Sequence, residues 1–204
     1  MMRAELKSQA KEIISANYWQ VIGTTFVSML LYGAASGIPN CGAVAGLFVY
    51  PVIFGLMLYY IDLSEGRDAK IGDVFENGFN GKYYLRRVGG FAWELLFTFL
   101  WMLLFIVPGI VKSYSYSLTS YILAKYPEVE AKEALKISMR LMDGKKAELF
   151  VLHLSFIGWG ILSSLTVGLL GIFYVLPYFM ITQTLWQKNV MEEAIEDGKF
   201  VYNF

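Results

Sequence analysis

The sequence predicts an all-α polytopic membrane protein: about six transmembrane helices arranged as three hairpins, with amphipathic helices on the cytoplasmic side. Three observations predict it. The 204 residues are 56% hydrophobic and only 17% charged, against about 45–50% apolar and about 25% charged in a soluble domain. Several apolar stretches approach the roughly 20 residues that a bilayer core takes per helix. All 17 Lys and Arg except Lys112 fall between those stretches, in segments that a six-span count places on one side.

The chain reads as one integral membrane domain over 1–204. An amphipathic helix over 3–17 comes first, with Arg3, Lys7 and Lys11 at i, i+4, i+8 on one face. Spans follow over 19–36 and 42–63, joined by "GIPNC" (Gly37–Cys41). A long charged connection from Asp62 to Gly90 holds "IGDVFENGFNGK" (Ile71–Lys82), a shorter relative of the amphipathic segments. The third and fourth spans are 91–107 and 109–124. A tight turn at Pro108-Gly109 separates them, because Pro lacks the N–H a helix needs and Gly tolerates a sharp turn. A single tilted span in their place would carry the basic segment from Lys125 to Lys146 to the outside.

A second amphipathic helix covers 128–143. Pro127 precedes it, Glu128 and Glu130 sit in its first turn, and Gly144 closes it. Lys132, Lys136 and Arg140 repeat the spacing of the first trio, and both trios suit the inner membrane surface. Spans over 147–166 and 168–187 meet at "TVG" (Thr166–Gly168). Each amphipathic segment leads into a hairpin, which suggests a threefold internal repeat. Pro51 and Pro177 should kink spans two and six, and "GAASG" (Gly33–Gly37) and "GAVAG" (Gly42–Gly46) are GxxxG patterns for close helix contact. Trp19, Tyr59, Tyr60 and Trp186 fall near the inner interface, as an aromatic belt would. Basic loops stay in the cytoplasm, so both termini are expected there.

Formal charge is zero, which gives no basic excess for nucleic acid. Cys41 is the one cysteine and His153 the one histidine, so neither an intrachain disulfide nor a Cys/His metal cluster is available, and no cofactor is expected. No HExxH, GxSxG, P-loop or usefully spaced pair of carboxylates occurs. Chemistry therefore concentrates in "PGIVKSYSYSLTSY" (Pro108–Tyr121), a polar stretch where a membrane helix is expected. Ser113, Ser117 and Ser120 share one face, and Tyr114 and Tyr121 the neighbouring one. Polar groups in a span turn away from lipid. Two readings stand. In one, the hydroxyls bond across helices or back to their own carbonyls, and Lys112 snorkels to the outer headgroups. In the other they line a polar cavity in which Lys112 holds an anionic headgroup or substrate. Glu94 and His153 lie at similar depth in the third and fifth spans, as a candidate polar pair.

"PGIVKSYSYSLTSYIL", followed by "EALKISMRLMDGKKAELFVLHLSFIGW" (Glu133–Trp159), resembles the bacterial multi-pass membrane proteins grouped under a domain of unknown function. That family is distantly similar to the membrane domain attached to some glycerophosphodiester phosphodiesterases. The resemblance implies about six helices in the bacterial cytoplasmic membrane and supplies no catalytic residues; the phosphodiesterase's chemistry does not transfer. The expectation is a non-enzymatic membrane protein that binds lipid or partner proteins, or assembles with itself. The alternative is a transporter or lipid-translocating protein using the polar face of the fourth span. An intramembrane enzyme assembled from Glu94, His153, Lys112 or serine hydroxyls is the third reading.

Overall fold

Apolar residues recurring at helical spacing dictate helices throughout, and no strand forms among the described residues. The structure is a computed structural model and describes residues 3–36, 49–104, 106–166 and 168–200. In chain order the helices are α1 (Arg3–Ala16), α2 (Tyr18–Ser36), α3 (Pro51–Ser64), α4 (Ile71–Gly78), α5 (Gly81–Leu104) and α6 (Ile106–Tyr116). They continue with α7 (Thr119–Lys125), α8 (Ala131–Leu141), α9 (Lys146–Leu154), α10 (Ile157–Leu165) and α11 (Leu176–Glu196). A π-helical turn, Gly171–Val175, leads into α11.

Three short helices carry the amphipathic patterns. α1 buries Leu6, Ala10 and Ile14 and packs on α11. α4 buries Val74 and Gly78 against α3. There a Cβ on Gly55 would overlap the Val74 carbonyl, and one on Gly78 would sit 2.7 Å from the Pro51 carbonyl oxygen. α8 buries Ala134, Leu135, Ser138 and Leu141 against α5, α6 and α7. It is shorter than the expected 128–143, because Glu130 is still extended. Beyond its end Gly144 takes a left-handed φ of 79°.

Other expectations shift in register. Pro108 lies in the first turn of α6, where its missing N–H costs no hydrogen bond, so the α5–α6 hairpin does not turn there. Gly109 instead permits close approach, since its Cβ would fall 2.8 Å from Met102 Cα. The expected fourth span is interrupted: residues 117 and 118 form a turn between α6 and α7. Pro51 heads α3, again at a helix start, and Pro177 is the second residue of α11, just past the π turn. Tyr59, Tyr60 and Trp186 are buried inside the bundle and form no belt; Trp19 is 82% exposed. "GIPNC", "GAVAG" and the last residue of "GAASG" lie outside the described residues.

Two adjacent arginines close helix ends. Arg86 donates to the carbonyls of Leu123, Tyr126 and Val129 at the end of α7. Arg87, buried, donates to Asn77 and Gly78 at the end of α4. A cation suits the negative end of a helix dipole and satisfies carbonyls that lack helical partners. Nearby, Glu65 bonds Lys125 at 2.5 Å and pairs with Arg67. Burial pushes the Glu65 carboxyl up, but Lys125 and Arg67 more than offset it and hold it below the usual carboxylate range.

Away from these charges the surface is apolar. Leu95, Phe99 and Met102 on α5, Val107 on α6 and Ile161 and Leu165 on α10 are all exposed, Leu165 to 75%. α10 and the π turn bury no residue at all. Among the described residues one helical stretch, Lys146–Leu165, is long and apolar enough to cross a membrane by length and composition, and Pro51–Ser64 is a shorter apolar helix. The other expected spans do not meet that test among the described residues, although α2, α5 and α11 are continuous helices of 19, 24 and 21 residues.

Candidate functional site

The interruption at Ser117-Leu118 would leave backbone groups without helical partners. Side chains from two other helices supply them. Ser138 of α8 accepts a hydrogen bond from the Leu118 N–H at 3.1 Å and donates to the Ser115 carbonyl at 2.8 Å. Gln187 of α11 donates through Nε2 to the Ser117 carbonyl at 2.8 Å. Ser138 is fully buried and Gln187 is 1% exposed, so neither bond is shared with bulk water. The break is therefore built into the packing.

A cavity of about 290 Å³ lies against this break. Its polar wall holds Glu94 from α5, Ser113 and Ser117 beside the interruption, Ser120 from α7, and Gln183 and Gln187 from α11. The helical spacing that put the three serines on one face in the sequence thus brings them to one cavity. Ser113 and Ser117 donate to the Ile110 and Tyr114 carbonyls of their own helix, at 2.7 and 2.8 Å. Their lone pairs remain as acceptors. The Glu94 carboxyl lies beside the Ser120 hydroxyl. Gln187 Oε1 is buried with no partner among the described residues. Tyr60 and Thr184 also line it, and Ile53, Met57 and Met180 form its apolar side.

The other candidates lie elsewhere. Lys112 does not line the cavity; its ammonium sits 5.0 Å from the centre of the Trp101 ring. Tyr114 points to the α9 side, where its hydroxyl meets His153 Nδ1 at 3.2 Å and its ring packs edge-on against Phe150. Tyr121 is buried in the core, with Lys125 above its ring. Glu94 lies beside Ser120, and His153 beside Tyr114 and beside Gln183 of the cavity wall; among the described residues no direct contact joins Glu94 to His153.

The basic trios divide similarly. Lys7 lies over the Phe156 ring at 4.3 Å and donates to the Ser155 carbonyl, while Lys11 faces Tyr178. Burial, with Lys11 and Arg3 nearby, holds the Lys7 ammonium below its ordinary value. Lys132 lies over Trp93 at 4.9 Å. Arg3, Lys136 and Arg140 are exposed.

Gln183 and Gln187 were not singled out from sequence. Their signal was present: two amides at i, i+4 inside an apolar segment. Among the described residues no group of three or more His, Cys, Asp or Glu side chains is placed to hold a metal ion.

An all-helical protein with an amphipathic surface and a polar cavity at a broken helix is the class these features define. The model of the family described as "protein of unknown function (DUF975)" matches residues 87–194, from Arg87 through nearly the end of α11, and the chain belongs to that family. The match includes the interruption and every polar residue of the cavity wall named above. No curated protein and no solved structure matches the chain.

Proposed function

We propose that this chain is a polytopic protein of the bacterial cytoplasmic membrane, with six spans and both termini cytoplasmic, that binds a small polar ligand at the break in its fourth span. Binding there would be a step of transport or translocation. The observation that carries this reading is the 290 Å³ cavity at an interrupted helix. Irregular backbone at membrane depth is tolerated where it is buried in protein or lines a polar cavity, and broken helices are where transporters place their sites. The cavity is at the small end of ligand pockets, which run about 300–1,000 Å³. Lys112, over Trp101, does not enter this reading.

The second reading is a non-enzymatic module that binds membrane lipid or a protein partner. The basic face of α1 favours it, with Lys7 and Lys11 seated on aromatic rings and Arg3 exposed. The proposed resemblance to the membrane domain attached to some glycerophosphodiester phosphodiesterases fits either reading.

Cysteine accessibility tests the first. In a Cys41→Ser background, cysteines at Ser113, Ser117 and Ser120 should react with a water-soluble thiol reagent in the purified protein. A cysteine at Leu123, fully buried, should not. Protection of all three serine positions would overturn the cavity reading.

A further inference from the structure

The chemistry of the cavity wall specifies what fits it. Glu94 is its one ionisable carboxyl, and neither Lys nor Arg lines it. Among the described residues no basic side chain forms an ion pair with Glu94. The serine hydroxyls spend their protons on their own helix, so Ser113 and Ser117 present lone pairs. Gln187 gives its N–H to Ser117 and leaves Oε1 as a buried acceptor with no partner. Acceptors thus come to the space from α5 and from the broken helix, with Glu94 as the counter-charge. An intramembrane carboxylate without a basic partner marks a ligand or ion path.

Resting on the reading above, we propose that the cavity binds a small organic ammonium group, with Glu94 as its counter-ion and the Ser113 and Ser117 oxygens accepting its N–H bonds. An anion would meet Glu94 and no cation. A bare hard cation could use the oxygens but would leave the apolar side, Ile53, Met57 and Met180, without a role. An alkylammonium uses both halves: charge-assisted hydrogen bonds at its head and apolar contact along its chain. About 290 Å³ is on the order of ten water volumes at about 30 Å³ each, which is room for a small amine and not for a large one. Such a head group comes from a free amine or from an ethanolamine phospholipid.

The test uses the full chain in nanodiscs of phosphatidylglycerol, titrated calorimetrically with n-butylammonium, n-butyrate and n-butanol. Saturable binding of butylammonium alone is expected, weakened at least tenfold in Glu94→Gln and unchanged in Lys112→Ala, which lies outside the cavity. The wild-type comparison of the three probes stands even where a variant fails to fold. Repeating it in phosphatidylethanolamine nanodiscs separates the sources. Loss of butylammonium binding there assigns the site to the lipid headgroup, and unchanged binding assigns it to a free amine; both support the ammonium site. No saturable binding in phosphatidylglycerol, or equal binding of butyrate, overturns it. If the three cysteines nevertheless react with the thiol reagent, the cavity reading survives and only the ammonium assignment falls; if they are protected, both fall.

Discussion

Ser138 holds the break in the fourth expected span open from a distance. One hydroxyl serves both sides of the interruption, taking the Leu118 N–H and giving to the Ser115 carbonyl. Its burial means that water cannot replace it. Ser138→Ala leaves a buried donor and a buried acceptor unsatisfied, at a cost of about 1–3 kcal/mol. The expected outcome is a lower midpoint of thermal unfolding in detergent, with Ser164→Ala as the control. Ser164 is exposed and bonds only the Ile161 carbonyl of its own helix, so its loss should change little. Equal midpoints for Ser138→Ala and wild type would mean that the break does not depend on this bond.

At the scale of elements, α4 docks on α3 through backbone contact, and the two glycines that allow it behave unlike a third nearby. Gly55→Ala drives a methyl group into the Val74 carbonyl of α4, and backbone cannot swing aside as a side chain would. Overpacking of this kind costs typically about 1–3 kcal/mol. Gly72→Ala, on the open side of the same helix with nothing within 4 Å, should instead gain up to about 1 kcal/mol of helix propensity. Opposite shifts of the unfolding midpoint are therefore expected from one chemical change in one helix pair. The helices themselves were legible in the sequence, since α1, α4 and α8 carry their periodicity locally. The shared face of Ser113, Ser117 and Ser120 was legible for the same reason. The break between them was not, because no Pro or Gly lies between Lys112 and Pro127 to announce it. Its partners, Ser138 and Gln187, come from 20 and 70 residues away from the groups they bond. The separation of Glu94 from His153 was hidden in the same way: depth along two helices is local, but which faces meet is decided by packing.

The molecule as a whole divides into a charged end and an apolar one. Ion pairs of Asp62, Glu65, Arg67 and Lys125 and the arginine caps of α4 and α7 gather at one end. Exposed Leu, Ile and Phe crowd α10, the π turn and the outer half of α5. A soluble monomer rarely exposes contiguous apolar patches beyond a few hundred Å², whereas lipid covers such a band at no cost. If the apolar end is immersed and basic segments remain inside the cell, Thr166 at the α10 end and Asp143 at the α8 end face opposite compartments. Both are exposed, Asp143 to 84% of its side chain. In a Cys41→Ser background, a membrane-impermeant maleimide applied to intact cells should label Thr166→Cys and leave Asp143→Cys unlabelled until the membrane is permeabilised. Labelling of Asp143→Cys in intact cells would reverse the proposed orientation. Labelling of both without permeabilisation would place the α8 and α10 ends on one side, and the fifth expected span would not cross. Lys146–Leu165, the stretch among the described residues that is long and apolar enough by itself, joins these two positions, so the experiment tests the crossing that length and composition support best.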